Sequence, residues 1–299
     1  VEKKQIKKIG VNLLKLVISA GAITWVLSKI SFREVMHIFG QATPGFLLLA
    51  LLFFVLSKVL AAFRLNLLFR ESGAHLAWWL NLKLYWMGMF YNLFLPGGIG
   101  GDGYKIYLVN KFRQNGLKKN FGAVVIDRVS GLVAIGLITI TLYFFSAIKI
   151  PYGQWAWVGY FLVYGGFLLL LKLFFPLFLR IHLPLTGWSL TLQLAQLLSA
   201  LFILLAFHQQ ANLIDYLFLF FLSSVAAALP ITIGGAGARE LVFLYGSQQL
   251  GLAGDLSIAL SFMFYLITAF ASLWGIVWVF RPPFREEGEA SVRTEEALQ

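Results

Sequence analysis

The chain has 299 residues and a mass of 33.6 kDa, with 60% hydrophobic and 12% charged residues and a mean hydropathy of +0.81. Soluble domains run at about 45–50% apolar and about 25% charged, so a soluble globular protein, a disordered chain and a coiled coil are excluded. The 24 Lys and Arg against 13 Asp and Glu, net +11, fit the inner loops of a polytopic membrane protein rather than a nucleic-acid binder. The absence of cysteine removes disulfides, thiol nucleophiles and Cys-ligated metals.

A crossing helix takes about 20 mostly apolar residues. The first apolar run, roughly 11–30, follows Lys3, Lys4, Lys7 and Lys8. It is longer than a signal-peptide core and no small-x-small cleavage site follows, so it reads as an uncleaved anchor. Ser31-Phe32-Arg33-Glu34 has a capping-box pattern, and Phe32, Val35, Met36 and Phe39 recur at helical spacing, which predicts a short interfacial helix. Full spans are predicted at roughly 45–65, 119–148, 155–179, 187–208 and 256–280. Two more apolar runs, roughly 77–95 and 213–229, stop at Leu-Pro followed by glycines. Long runs without period-2 alternation exclude an outer-membrane barrel. The expected fold is therefore an all-α polytopic membrane protein of about six full spans and two broken-helix hairpins. A single transmembrane domain would cover residues 1–284, and a polar, disordered tail residues 285–299.

Orientation follows from the basic residues. With the N-terminus inside and each broken run treated as a hairpin, inner segments hold Lys3, Lys4, Lys7, Lys8, Arg64, Arg70, Lys111, Arg113, Lys118, Lys119, Lys172, Arg180, Arg281, Arg285 and Arg293. Outer segments hold Lys29, Arg33 and Lys149. This bias predicts a multi-pass protein of the cytoplasmic (inner) membrane with both termini cytoplasmic.

An internal duplication is the most informative pattern. Residues 95–103 read LPGGIGGDG and residues 229–237 read LPITIGGAG, identical at six of nine positions at an offset of 134, with Lys105 aligned to Arg239. The hairpin backbone would be formed by Pro96, Gly97, Gly98, Gly100, Gly101 and Gly103 in the first copy, and by Pro230, Gly234, Gly235 and Gly237 in the second. Three full spans separate the copies, an odd number, so the second hairpin should enter from the opposite face. That is the pattern of an inverted-topology repeat with discontinuous helices meeting near the midplane. Proline ends each helix, Asp102 is placed to cap a new helix running to about Arg113, and helix N-termini attract phosphate. The structural alternative is that the glycines only let helices pack closely.

Ionisable residues inside a membrane cost about 2.5–3.5 kcal/mol each on insertion scales, so Lys58, Lys83, Asp102, Lys105, Asp127, Arg128, Arg239 and Glu240 need partners or roles. Asp127 and Arg128 are adjacent and cannot face each other on a helix. Asp127 is expected to meet Lys105 or Arg239, and Arg128 to meet Asp102 or Glu240. Arg239, Arg128 and Lys105 are the candidate ligands of a lipid phosphate, supported by Asp102, Asp127 and Glu240; alternatively all six form ion pairs that only fix the hairpins. Lys58 is expected to snorkel to an interface. His37, His75, His182 and His208 lie near predicted span ends without metal-ligand spacing, and no Walker A motif is present, so no metal or cofactor is expected. Trp78, Trp79, Trp155 and Trp157 fall at belt positions.

LPGGIGGDGYKIYLV, the Asp127-Arg128 pair in AVVIDRVSGL, and LPITIGGAGARELVF occur in this order. Together they resemble the lysylphosphatidylglycerol synthase transmembrane-region family, flippase-like integral membrane proteins, over about residues 10–281. In the full-length synthases this region is joined to a soluble aminoacyl-transferase domain and is implicated in moving aminoacylated phospholipid between leaflets. Only a short tail follows residue 281 here, so aminoacyl transfer is not expected of this chain. The resemblance implies a non-enzymatic lipid translocator. Its partners would be a membrane phospholipid or lipid-linked anionic substrate, no nucleic acid, and a separate synthase or transferase. Two other classes fit the residues alone. One is an intramembrane transferase using Asp102, Asp127 or Glu240 as acid or base, against which stands the lack of an Asp-rich metal cluster or a Ser/His/Asp set. The other is a non-transporting scaffold. Oligomeric state is not legible.

Overall fold

The structure, a computed structural model, describes residues 32–94, 100–148, 152–228, 237–281 and 283–284. The predicted span at 11–30, Ser31, Pro96, Gly97, Gly98, Pro230, Gly234, Gly235 and the tail at 285–299 lie outside the described residues.

The described chain forms α1 (Phe32–Gly40), α2 (Pro44–Glu71), α3 (Trp78–Phe94), α4 (Gly100–Arg113), α5 (Leu117–Phe145), α6 (Val158–Phe174), α7 (His182–Ala206), α8 (Leu213–Ala228), α9 (Ala238–Leu250), α10 (Gly254–Leu273) and α11 (Ile276–Phe280). Short 3-10 turns, Gly153–Trp157 and Pro176–Ile181, lead into α6 and α7. Among the described residues there is no strand, and five stretches are long and apolar enough to cross a membrane: Pro44–Glu71, Leu117–Phe145, Gly153–Phe174, Pro176–Ala206 and Gly254–Phe280. This is an all-α polytopic membrane protein.

Among the boundaries that differ from the sequence reading, two have identifiable reasons. α6 stops at Phe174, short of 179, because Pro176 cannot continue the helical hydrogen bonding. α2 runs on to Glu71, past the predicted 65, because Leu65, Leu68 and Phe69 are fully buried and Arg64 among them is neutralised. Arg64 therefore does not belong with the loop cations; among the described residues Arg70, Lys111, Arg113, Lys118, Lys119, Lys172, Arg180 and Arg281 lie at helix ends or in connections. α3, α4, α8 and α9 have 17, 14, 16 and 13 residues, each short of the roughly 20 needed to cross. α1 packs against α10 through Val35, which is buried, while Met36 is exposed.

The element order repeats at the motif's offset. Adding 134 to the bounds of α2, α3, α4 and α5 gives 178–205, 212–228, 234–247 and 251–279. The observed elements are Pro176–Ala206, Leu213–Ala228, Ala238–Leu250 and Gly254–Phe280. Side-chain bonds fix which ends meet. Asn115 Nδ2 donates to the Ser72 carbonyl at 3.1 Å and exchanges bonds with Asn120 at 2.8 Å, while Arg180 Nε lies 2.5 Å from Glu71 Oε1. The C-terminal ends of α2 and α4 thus meet the start of α5 at one face. At the other face the Ala147 N–H donates to Asp215 Oδ1 at 2.8 Å, the Ala253 N–H to the Tyr216 hydroxyl at 3.2 Å, and the Thr43 N–H to the Ala206 carbonyl at 2.9 Å. There the end of α5 meets the starts of α8 and α10. The α3–α4 pair opens on the first face and the α8–α9 pair on the second.

Apolar packing forms two clusters. One joins Phe54, Ile138, Ala200, Ile203, Leu204, Phe220, Phe243 and Phe264; the other joins Leu65, Leu68, Phe69, Leu84, Ala123, Ile126, Phe167 and Leu185. α2, α5 and α7 contribute to both. About its middle each of the three helices carries polar groups: Ser57, Lys58 and Arg64 on α2, Asp127, Arg128 and Ser130 on α5, and Ser189 and Gln193 on α7. The charged residues lie in this polar layer.

Candidate functional site

α5 presents Asp127 and Arg128 in different directions because neighbours on a helix are about 100° apart. Asp127 does not meet Lys105 or Arg239. Its Oδ1 accepts from Arg64 Nε at 2.8 Å, and both side chains are almost fully buried. Arg64 Nη1 also donates to Ser189 Oγ at 3.1 Å, and Gly131, one turn beyond Asp127, leaves the space its guanidinium occupies. The signal for Arg64 was present in VLAAFRLNLLF, an apolar run that continues on both sides of the charge.

Arg128 turns to the start of α4, where its Nε lies 2.5 Å from Asp102 Oδ2. Asp102 Oδ1 accepts from Lys105 Nζ at 2.8 Å, one turn along α4, and Lys105 Nζ also lies 4.9 Å from the centre of the Tyr85 ring. One buried carboxylate thus serves two cations. Asp102 sits inside the first turn rather than capping it; Asn92 of α3 accepts the Gly101 N–H at 2.9 Å and so supplies the cap. Gly100 opens α4 and Gly101 is buried against Gly88 of α3, whereas Gly103 faces open space.

The second copy is built differently. Residue 236, which aligns with Asp102, is alanine. Glu240 turns back on its own helix start: Oε2 accepts the Gly237 N–H at 2.7 Å and Oε1 accepts from Ser261 Oγ at 2.8 Å. Gly237 has φ of +86°, a conformation that favours glycine. Glu240→Ala is expected to remove this cap and destabilise the protein by about 1–2 kcal/mol, measured as a lower melting temperature of the detergent-solubilised protein.

With Glu240 engaged, Arg239 has no carboxylate within ion-pair distance among the described residues. Its Nη2 donates to Ser224 Oγ at 3.1 Å, its Nε is buried without a hydrogen-bond partner, and its guanidinium lies 5.3 Å from the Phe220 ring and 5.2 Å from the Phe264 ring. Phe264 meets Phe54 edge-on at 5.4 Å, and Lys58 Nζ stands 4.5 Å from the centre of the Phe54 ring. Lys58 does not snorkel to an interface. It lies midway along α2, half-buried and within electrostatic range of Arg64 and Arg239. Ring faces attract cations, and more strongly where water is excluded. Two cations from α2 and α9 are therefore held on one connected group of rings. Sequence reading did not place Lys58 in the site, because only packing brings α2 and α9 together here.

Tyr85 lies within electrostatic range of Asp127, Arg64, Asp102 and Arg128, and so links the two ion-pair groups. The histidines do not cluster: His182 Nδ1 contacts the Leu179 carbonyl and His208 Nε2 the Gln41 carbonyl, and no metal-binding group of His, Cys, Asp and Glu forms among the described residues. Trp79, Trp155 and Trp157 are exposed at helix starts.

The family model described as "Lysylphosphatidylglycerol synthase TM region" matches residues 12–185, more than half of the chain. The match takes in the first glycine motif, Asp127 and Arg128, and ends before the second motif, so it is shorter than the resemblance drawn over 10–281. No curated protein matches the chain. Five apolar crossing stretches, a charged layer between two apolar clusters and this match together place the chain in the lysylphosphatidylglycerol synthase transmembrane-region family.

Proposed function

We propose that the protein is a lipid translocator of the inner membrane in which Lys58 and Arg239 hold a lipid phosphate while the acyl or prenyl chains stay in the bilayer. The observation that carries the reading is the imbalance at Arg239. In the first copy Asp102 neutralises Lys105 and helps neutralise Arg128; in the second copy alanine stands at that position, and Arg239 keeps a buried N–H without a partner. A charge held at membrane depth without a carboxylate marks a ligand or ion pathway, and guanidinium suits phosphate oxygens.

α3–α4 and α8–α9 are re-entrant hairpins from opposite faces in this reading, the two halves of an inverted-topology repeat. Support comes from helices too short to cross, from ends that meet at opposite faces, and from the constant offset of 134. The first face carries Arg70, Lys111, Arg113, Lys118, Lys119, Lys172, Arg180 and Arg281, and the second carries Arg33. The first face is then cytoplasmic.

The test is leaflet exchange of headgroup-labelled phospholipid in proteoliposomes. Arg239→Ala is expected to lower protein-dependent exchange at least about tenfold, the scale of a charge-assisted hydrogen bond, with little change in melting temperature. Wild-type exchange by a folded Arg239→Ala variant would remove this residue from the mechanism. No exchange by the folded wild type would count against translocation itself.

A further inference from the structure

We infer that the headgroup this site takes is doubly negative, a lipid phosphomonoester, in preference to a singly charged phosphodiester or a cationic aminoacylated lipid. The inference rests on the translocator reading and goes beyond it by assigning the charge of the substrate.

The three carboxylates of the polar layer, Asp102, Asp127 and Glu240, are already engaged. The Arg64–Asp127 pair is neutral, Asp102 is shared between Lys105 and Arg128, and Glu240 is committed to the Gly237 N–H and Ser261. Lys58 and Arg239 are two cations with no carboxylate within ion-pair distance among the described residues. The motif residues 95–99 and 229–236 add no charge of either sign.

These two cations also share a place. Lys58 and Arg239 share the Phe54–Phe264–Phe220 group, and neither has a carboxylate partner among the described residues. Rings neutralise no charge, and by excluding water they lengthen the reach of each charge over any ligand. A phosphomonoester carries about −2 above a second pKa of about 6 and offers three terminal oxygens. A phosphodiester carries one charge and offers two such oxygens. The ammonium has three N–H donors and the guanidinium five, so the pair matches three acceptors better than two. A lysyl ester on the headgroup would bring further cations against Lys58 and Arg239.

The experiment measures binding to the purified full chain in detergent by ligand-induced thermal shift. Short-chain phosphatidic acid, phosphatidylglycerol and lysylphosphatidylglycerol with matched acyl chains are compared, with inorganic phosphate as a separate arm. Phosphatidic acid is expected to bind at least about tenfold tighter than phosphatidylglycerol, with lysylphosphatidylglycerol weakest. Its affinity should rise from about pH 5 to about pH 8 as the second ionisation completes, while that of phosphatidylglycerol stays flat. Lys58→Gln and Arg239→Gln should each narrow the preference to within about threefold. Equal binding of the two anionic lipids, a preference unchanged in both variants, or tightest binding of the lysyl lipid would overturn the inference. Inorganic phosphate binding as tightly as phosphatidic acid would overturn the lipid as its source. Leaflet exchange is scored separately: exchange without a charge preference retires this inference alone, and preference without exchange retires the translocator.

Discussion

Asp127→Ala is expected to destabilise the protein by about 3–5 kcal/mol, the cost of leaving one member of a buried ion pair without its partner. The Arg64 and Asp127 side chains are only 6% and 12% exposed, and Arg64 is held against Ser189 and Gly131. Removing the carboxylate strands a guanidinium between the two apolar clusters. The double variant Arg64→Met with Asp127→Leu should recover most of the loss, because apolar residues of similar volume do not carry the desolvation cost that the pair carries. Thermal unfolding of the three proteins in detergent measures both effects. The Arg180–Glu71 pair supplies a contrast at the same separation class. The Arg180 side chain is 74% exposed, so Arg180→Ala should cost less than about 1 kcal/mol. Equal effects at Asp127 and Arg180 would refute the buried-pair account.

Gly101→Ala is expected to be a damaging methyl addition where α4 starts against α3. A Cβ at Gly101 would stand inside the backbone carbonyl of Gly88, which cannot move without shifting α3. Overpacking of this kind costs about 1–3 kcal/mol, and more against rigid backbone. The displacement would also act on function, because the same turn carries Asp102 and Lys105, and the Gly101 N–H is held by Asn92. Gly103→Ala is the control. Nothing lies within 4 Å of a Cβ there, so helix propensity favours the substitution by about 1 kcal/mol. Both variants are compared by melting temperature and by leaflet exchange: Gly101→Ala should fail in both, and Gly103→Ala in neither. Similar behaviour would mean that glycine serves the hairpin through backbone freedom rather than through the close approach of α3 and α4.

Particular residues show how far the sequence carried the site. The Arg128–Asp102 contact was among the pairings that spacing allowed, because both residues stand beside the first motif. The Arg64–Asp127 contact was not, since 63 positions separate the two and the residues around Arg64 give no sign of the face it presents to α5. Lys58 illustrates the same limit. Its length allows either snorkelling or burial over a ring, and the choice depends on where Phe54 lies relative to Phe264 of α10 and Arg239 of α9.

The sequence by itself determined that the chain is an all-α membrane protein, where apolar stretches become helices, that two of them run up to Leu-Pro, and that the pattern recurs after 134 residues. These properties follow from composition, length and local backbone chemistry, which need no knowledge of neighbours. Only the tertiary structure decided which carboxylate neutralises which cation. Lys58, Arg239, Phe54 and Phe264 come from three helices, and electrostatic partnership depends on distances of a few ångströms that helix periodicity does not set. The excess of basic over acidic residues is countable in the sequence, but the meeting of Lys58 and Arg239 on one group of rings is a product of packing.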